Sequence, residues 1–341
     1  MKLTRLIHAG LVASAALSWS LPASAQTVLK LSHFLPAVHG IHTDFIEPWT
    51  KDVEACSGGE IKFEIFPGGT QLGNVAKQQE QVVAGVVDIA HGLVGLPRGR
   101  YPLTSLIELP FMVETADAGT RTLWSLYPDY LSKEFKGMKV LALHTHNGGL
   151  IHTRDKKVTT MDDLKGLRIR TPSPAISMML EQLGALPQGL PPGAVYESLQ
   201  KGVIDGTVFP WDPVKSFGLA EVLKYHLDAR TYVASFWFAM NQRKYDSLSE
   251  KARACIDKYS GDALVAKFGD WWNAWDKPGH DAAVAKGDEI TVLTADERNA
   301  WKAALAPVDE AYMAELVKNG ADAATVHEVY EKMKAKVSEL E

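Results

Sequence analysis

Short apolar runs separated by stretches of helical spacing recur along most of this chain. "TVLKLSHF", from residue 27, reads as a buried strand. The next segment, "IHTDFIEPWTKDVEAC", sets Phe45, Ile46, Trp49 and Val53 at helical intervals, with Pro48 placed to start or kink the helix. "EIKFEIFPGG" predicts a second strand and a glycine turn, "NVAKQQEQVVAG" a helix ending at Gly85, and "VVDIAHG" a third strand. The same alternation returns in "KVLALH", "LRIRT" and "DGTVF", with helices predicted over about 174–183 and 193–201. Thr160 can cap the turn in "MDDLKG", and Pro174 suits a helix start. Strands separated by helices imply parallel pairing and right-handed crossovers, so the expected fold class is α/β, in two units.

After "YVASFWFAMN" the pattern becomes helical. Ser247 and Glu250 fit a capping box, and one helix is predicted from about Ser249 to Trp275, stopping near Lys277-Pro278-Gly279. At 1.5 Å per residue it would be ~40 Å long, enough to span both units. Thr294 and Glu297 fit a second capping box, and "TVHEVYEKMKAKVSELE" closes the chain as an amphipathic helix.

The first 25 residues stand apart. Lys2 and Arg5, an apolar run from about Ile7 to Trp19, and Ala23-Ser24-Ala25 make a secretory signal with cleavage expected after Ala25. The run is shorter than the ~20 residues of a spanning helix, so a soluble exported protein is expected. Removing Lys2 and Arg5 and no acid takes the formal charge from -5 to -7, a balance that disfavours nucleic acid and anionic membrane surfaces. Cys56 and Cys255 are the only cysteines; spacing leaves a bridge and two free thiols equally open.

Catalytic motifs are missing: no G-x-S-x-G, H-E-x-x-H, Gly-Lys-Ser/Thr loop or G-x-G-x-x-G after a strand. "PGGTQLG" reads as a plain turn. The pairs His39/His42 and His144/His146 have metal-like spacing but no further ligand nearby, and partly buried structural histidines are the better reading. What remains is "LKGLRIRTPSP". Arg168 and Arg170 share one strand face and Arg170 sits at the strand's carboxyl end, where open α/β sheets bind ligands. A guanidinium matches a carboxylate with two parallel hydrogen bonds; the competing reading pairs both arginines with acids such as Asp162 or Asp163.

Six stretches, "FEIFPGGTQLG", "VVAGVVDIAHG", "LIELPFM", "MDDLKGLRIRTP", "AVYESLQKGVIDG" and "FAMNQRKYDSLSEKAR", stand in an order and spacing that resembles the substrate-binding proteins of tripartite ATP-independent periplasmic (TRAP) transporters, of the dicarboxylate-binding (DctP) type. The resemblance covers essentially the whole mature chain. It implies a two-lobed periplasmic solute-binding fold with a hinge and a long helix spanning both lobes. Residues 26–147 with about 235–275 would form one lobe, and 148–234 with about 276–341 the other. It further implies a monomer that needs no cofactor, captures an organic acid and delivers it to small and large membrane subunits. Arg170 matches the arginine that bridges the ligand carboxylate, while Arg168 matches a basic position that need not touch ligand.

Where sialic-acid-type members carry polar contacts, this chain has Phe34, Leu150 and Phe209. With Trp211, Trp237 and His91 taken as further pocket positions, a monocarboxylate with an apolar or aromatic body is the expected ligand. A periplasmic sensor of the same acids, or an enzyme on the same scaffold, are the alternatives.

Overall fold

The computed structural model describes residues 26–341, so the signal-peptide expectation lies outside the described residues. Eleven strands follow in chain order: β1 Thr27–His33, β2 Ile61–Phe66, β3 Ile89–Leu93, β4 Met138–Thr145, β5 Leu150–Thr153, β6 Arg168–Thr171, β7 Leu186–Gly189, β8 Gly206–Phe209, β9 Tyr225–Asp228, β10 Ser235–Asn241 and β11 Glu289–Val292. They form two sheets, ordered β2-β1-β3-β10-β4 and β11-β9-β5-β8-β6-β7, one in each lobe.

Local chemistry explains the elements that position the site. β1, β2 and β3 pair in parallel through helical crossovers, and Leu29, Leu31 and Ile89 lie fully buried beneath them. The helix Gln78–Ala84 ends because Gly85 turns left-handed at φ 77°, a conformation that glycine adopts without steric cost. Thr160 and Asp163 cap the turn before β6 reciprocally, and Pro174 opens the helix Pro174–Gln182. Thr294 and Glu297 form their expected box.

Parallel pairing is only part of the topology. β10 runs antiparallel to β3 and β4, and β5 antiparallel to β8 and β9. Both strands are swapped in by the chain crossings at 146–149 and 229–234, which an alternation of strands and helices does not reveal.

The expected single helix from Ser249 to Trp275 is three: Glu250–Lys258, Asp262–Val265 and Phe268–Lys286. Gly261 breaks it at φ 60°, ψ -128°, and donates its N–H to the Leu141 carbonyl instead. Nor does the last helix stop at Pro278. It runs on to Gly287, and Gly279 packs so close to the Trp211 carbonyl that a Cβ would stand 1.9 Å from the oxygen. That helix touches Asp212–Ser216 on one lobe and Ala116–Leu126 on the other, so the span across both lobes holds for a shorter element. The cap before Glu250 is Ser249, which accepts from the Ala252 N–H; Ser247 instead ends the preceding helix with its hydroxyl on the Lys244 carbonyl. The C-terminal segment, expected with the second lobe, reaches both: Pro307–Lys318 packs on Pro174–Gln182, and Ala323–Leu340 on Ala116–Leu126. No described helix is long and apolar enough to cross a membrane.

Cys56 and Cys255 form a disulfide across a sequence separation of 199, tying the helix Glu47–Cys56 to Glu250–Lys258. Closing so long a loop restricts the unfolded chain, so replacing both cysteines by alanine is expected to cost about 2–4 kcal/mol. Urea denaturation of the double variant checks this; a midpoint equal to that of the oxidised protein would contradict it.

Candidate ligand-binding site

Arg168 and Arg170, one residue apart on either side of Ile169, meet different environments. Arg168 is half exposed and forks onto Asp205, with Nε 3.0 Å from Oδ2 and Nη2 2.6 Å from Oδ1. Its partner is therefore neither Asp162, which pairs with Lys165, nor Asp163, which is occupied by the cap at Thr159 and Thr160. Arg170 is 1% exposed. Its Nε donates to the Leu190 carbonyl at 3.0 Å and Nη1 to the Val208 carbonyl at 3.3 Å, while the guanidinium lies over the Phe209 ring at 4.3 Å. Nη2 is buried and bonds nothing. Burial pulls the pKa down to about 10, with no carboxylate beside it to offset the loss of water. The buried charge therefore has no counter-ion within the protein, and one guanidinium nitrogen is left without an acceptor.

Arg170 lines a cavity between the lobes. Phe34, Phe209, Phe217, Phe236 and Trp272 supply its apolar walls. Phe34, His91 and Phe236 lie nearly parallel, with centroids 5.7–6.5 Å apart and planes within 14–18°. This layer offers a planar face to a ligand ring.

The cavity's histidines are neutral and already bonded. His146 donates through Nδ1 to the Asn147 carbonyl and accepts the Ala234 N–H at 2.9 Å, and burial lowers its pKa to about 4. His39 accepts the Ile41 N–H on Nδ1, so its Nε2 carries the proton and donates to Asp212 at 2.8 Å. This contact clasps the first lobe to the second. Asp212 in turn gives its backbone N–H to Asp276, whose other oxygen holds Asn147 at the first crossing.

Residues 31–316 match the bacterial extracellular solute-binding proteins, family 7. The chain belongs to this family. Among solved relatives of this family 7 protein, a TRAP solute-binding protein from Rhodoferax ferrireducens T118, crystallised with copurified benzoate, is 34% identical with a TM-score of 0.87, covering 92% of this chain and 99% of that one. A marine metagenome TRAP protein described as specific for aromatic acid ligands, crystallised with 3-hydroxybenzoate, is 35% identical with a TM-score of 0.87, covering 92% and 98%. The C4-dicarboxylate-binding periplasmic protein DctP of Rhodobacter capsulatus is 29% identical over 325 residues, 90% of this chain and 94% of that protein.

Of the seven positions singled out in the sequence, Arg170, Phe34 and Phe209 line this family 7 cavity. His91 lies just beneath it, stacked under Phe34 with Nε2 2.9 Å from His144. Leu150 and Trp211 are elsewhere: they pack with Val214 and Ala283 beside the hinge, and Trp211 meets His152, His226 and His280. Trp237 faces the opposite side of β10, against Gly92, where a Cβ would stand 2.1 Å from the indole. Strand alternation puts its neighbour Phe236 into the cavity instead. The sequence reading missed Phe236, Trp272, Phe217, Tyr232, His39 and His146; the spacing of Phe268, Trp272 and Trp275 on one helical face was the available signal for Trp272.

Proposed function

We propose that this chain is the solute-binding subunit of a TRAP transporter and captures a compact monocarboxylate with an aromatic or apolar body, its carboxylate bridged to Arg170. The observation that carries this reading is a buried guanidinium without a counter-ion, opening onto an apolar cavity. The benzoate and 3-hydroxybenzoate of the relatives at 34% and 35% identity support it. A dicarboxylate would bury its second charge among aromatic rings and occupied histidines, and a sugar acid its hydroxyls without partners, at about 1–3 kcal/mol for each hydroxyl and more for the charge. The chain does no chemistry on the acid and passes it, as a monomer, to small and large membrane subunits. It works in the periplasm, after cleavage behind Ala25.

Calorimetry with benzoate, 3-hydroxybenzoate, a branched aliphatic acid, succinate and sialic acid tests the reading. The aromatic or branched acids are expected to bind at least about tenfold tighter, a difference of ~1.4 kcal/mol. Preference for sialic acid or succinate would sink the ligand class. Closure of the lobes on ligand should also lower the radius of gyration in solution scattering; no change at saturation would point to a rigid pocket.

A further inference from the structure

Tyr232 sits in the second crossing between the lobes, just before β10. Its backbone carbonyl accepts the Gly149 N–H of the first crossing at 2.7 Å. Its ring lies directly on Gly149, where a Cβ would come within 2.2 Å of Cε1, and meets His146 edge-on at 5.5 Å. The ring is thus locked between the two crossings, and only glycine at 149 leaves room for it. Tyr232 lines the same cavity as Arg170, and its hydroxyl is buried and has no hydrogen-bond partner.

An orphaned buried hydroxyl is costly unless something satisfies it. Here the other polar groups of the cavity wall do not. The ring nitrogens of His39 and His146 are both taken, and the remaining unsatisfied polar atom of the wall is Nη2 of Arg170. We propose that Tyr232 is a second carboxylate-reading residue: one oxygen of the bound acid accepts from the Arg170 guanidinium and the other from the Tyr232 hydroxyl. This rests on the function proposed above and narrows it. Both polar handles of the cavity are spent on one carboxylate, so specificity for the body of the ligand comes from shape alone. Burial raises the phenol's pKa and keeps it a neutral donor, while the nearby Arg170 charge acts in the opposite sense. A neutral donor beside the guanidinium leaves the paired site with a single positive charge, matched to a monocarboxylate.

The test is calorimetry of wild type and Tyr232→Phe with benzoate and with 3-hydroxybenzoate, alongside thermal melting of each ligand-free protein. Phenylalanine keeps the ring packing and removes one unpartnered hydroxyl, so the ligand-free melting temperature should be unchanged or higher. Affinity for both acids should fall by about tenfold, and by the same factor. A loss confined to 3-hydroxybenzoate would mean that Tyr232 reads the ring hydroxyl and would overturn the assignment, as would unchanged affinity for both. Wild type that binds neither acid would overturn the proposed ligand class and this inference together, a result distinct from a null effect of the substitution.

Discussion

Arg170→Ala is expected to weaken binding of an aromatic monocarboxylate by about 3–5 kcal/mol, roughly a hundredfold to several thousandfold, with the ligand-free fold as stable as before or more so. The two halves of this expectation have one cause. Burial pulls the guanidinium from 12.5 to about 10, and at about 1.4 kcal/mol for each tenfold in acidity the empty protein bears a cost of order 3 kcal/mol to keep the charge. Alanine removes that cost from the free protein and leaves the ligand's carboxylate buried without its charged partner in the complex. Arg168→Ala is the control. Its fork onto Asp205 is partly in water, with side-chain exposures of 41% and 29%, and such pairs contribute about 0–1 kcal/mol to stability. Calorimetry on both variants separates the roles. Wild-type affinity in Arg170→Ala would move the carboxylate contact to another residue.

That two arginines one residue apart differ so completely bears on what the sequence could reveal. Periodicity put both on one strand face; it could not say that Asp205, well along the chain, would reach back to claim Arg168. The strand and helix order was legible because each element carries its own local signal, such as the left-handed glycine at 85 or the reciprocal cap at 160 and 163. The antiparallel insertion of β5 and β10 has no local signal, since pairing direction depends on which lobe the chain enters. Trp237 and Trp211 fail as pocket residues for related reasons. On β10 the face alternates with each residue, so Phe236 and Trp237 exchange roles with a one-residue change of phase. Beyond β8 the chain turns into the helix Asp212–Ser216 and carries Trp211 to the hinge. Tyr232 was invisible because its importance lies in what it lacks, a partner for its hydroxyl.

The protein should be most stable near pH 6.5–7 and lose stability steeply in acid. Burial lowers His33 to about 3 and His146 to about 4, holds His91, His144 and His152 well below the usual range, and lowers His226 as well. Each is held toward its neutral form in the fold while its unfolded counterpart charges below about pH 6.5, so each contributes stability that is present at neutral pH and lost as pH falls. Buried carboxyls act in the opposite sense. Glu134 is raised to about 7, Asp276 to about 6, and Glu108 and Asp309 are also raised. Between about pH 4.5 and 6.5 the fold holds protons on these that the unfolded chain has released. The histidines outnumber the carboxyls, so unfolding takes up protons on balance and stability is lost as pH falls through this range. Below about pH 4.5 the unfolded carboxyls protonate too, their opposition fades, and the loss should steepen. Above pH 6.5 the histidine contribution is constant while Glu134 ionises, which gives a shallow decline on the alkaline side. Urea denaturation followed by tryptophan fluorescence from pH 4 to 8 measures the curve. His91→Phe, placed among rings that already stack, removes one of these histidines and should flatten the acid limb, whatever it costs at neutral pH. Stability that stays level or rises from pH 6.5 to 4.5 would show that the buried histidines do not set the acid limit of this fold.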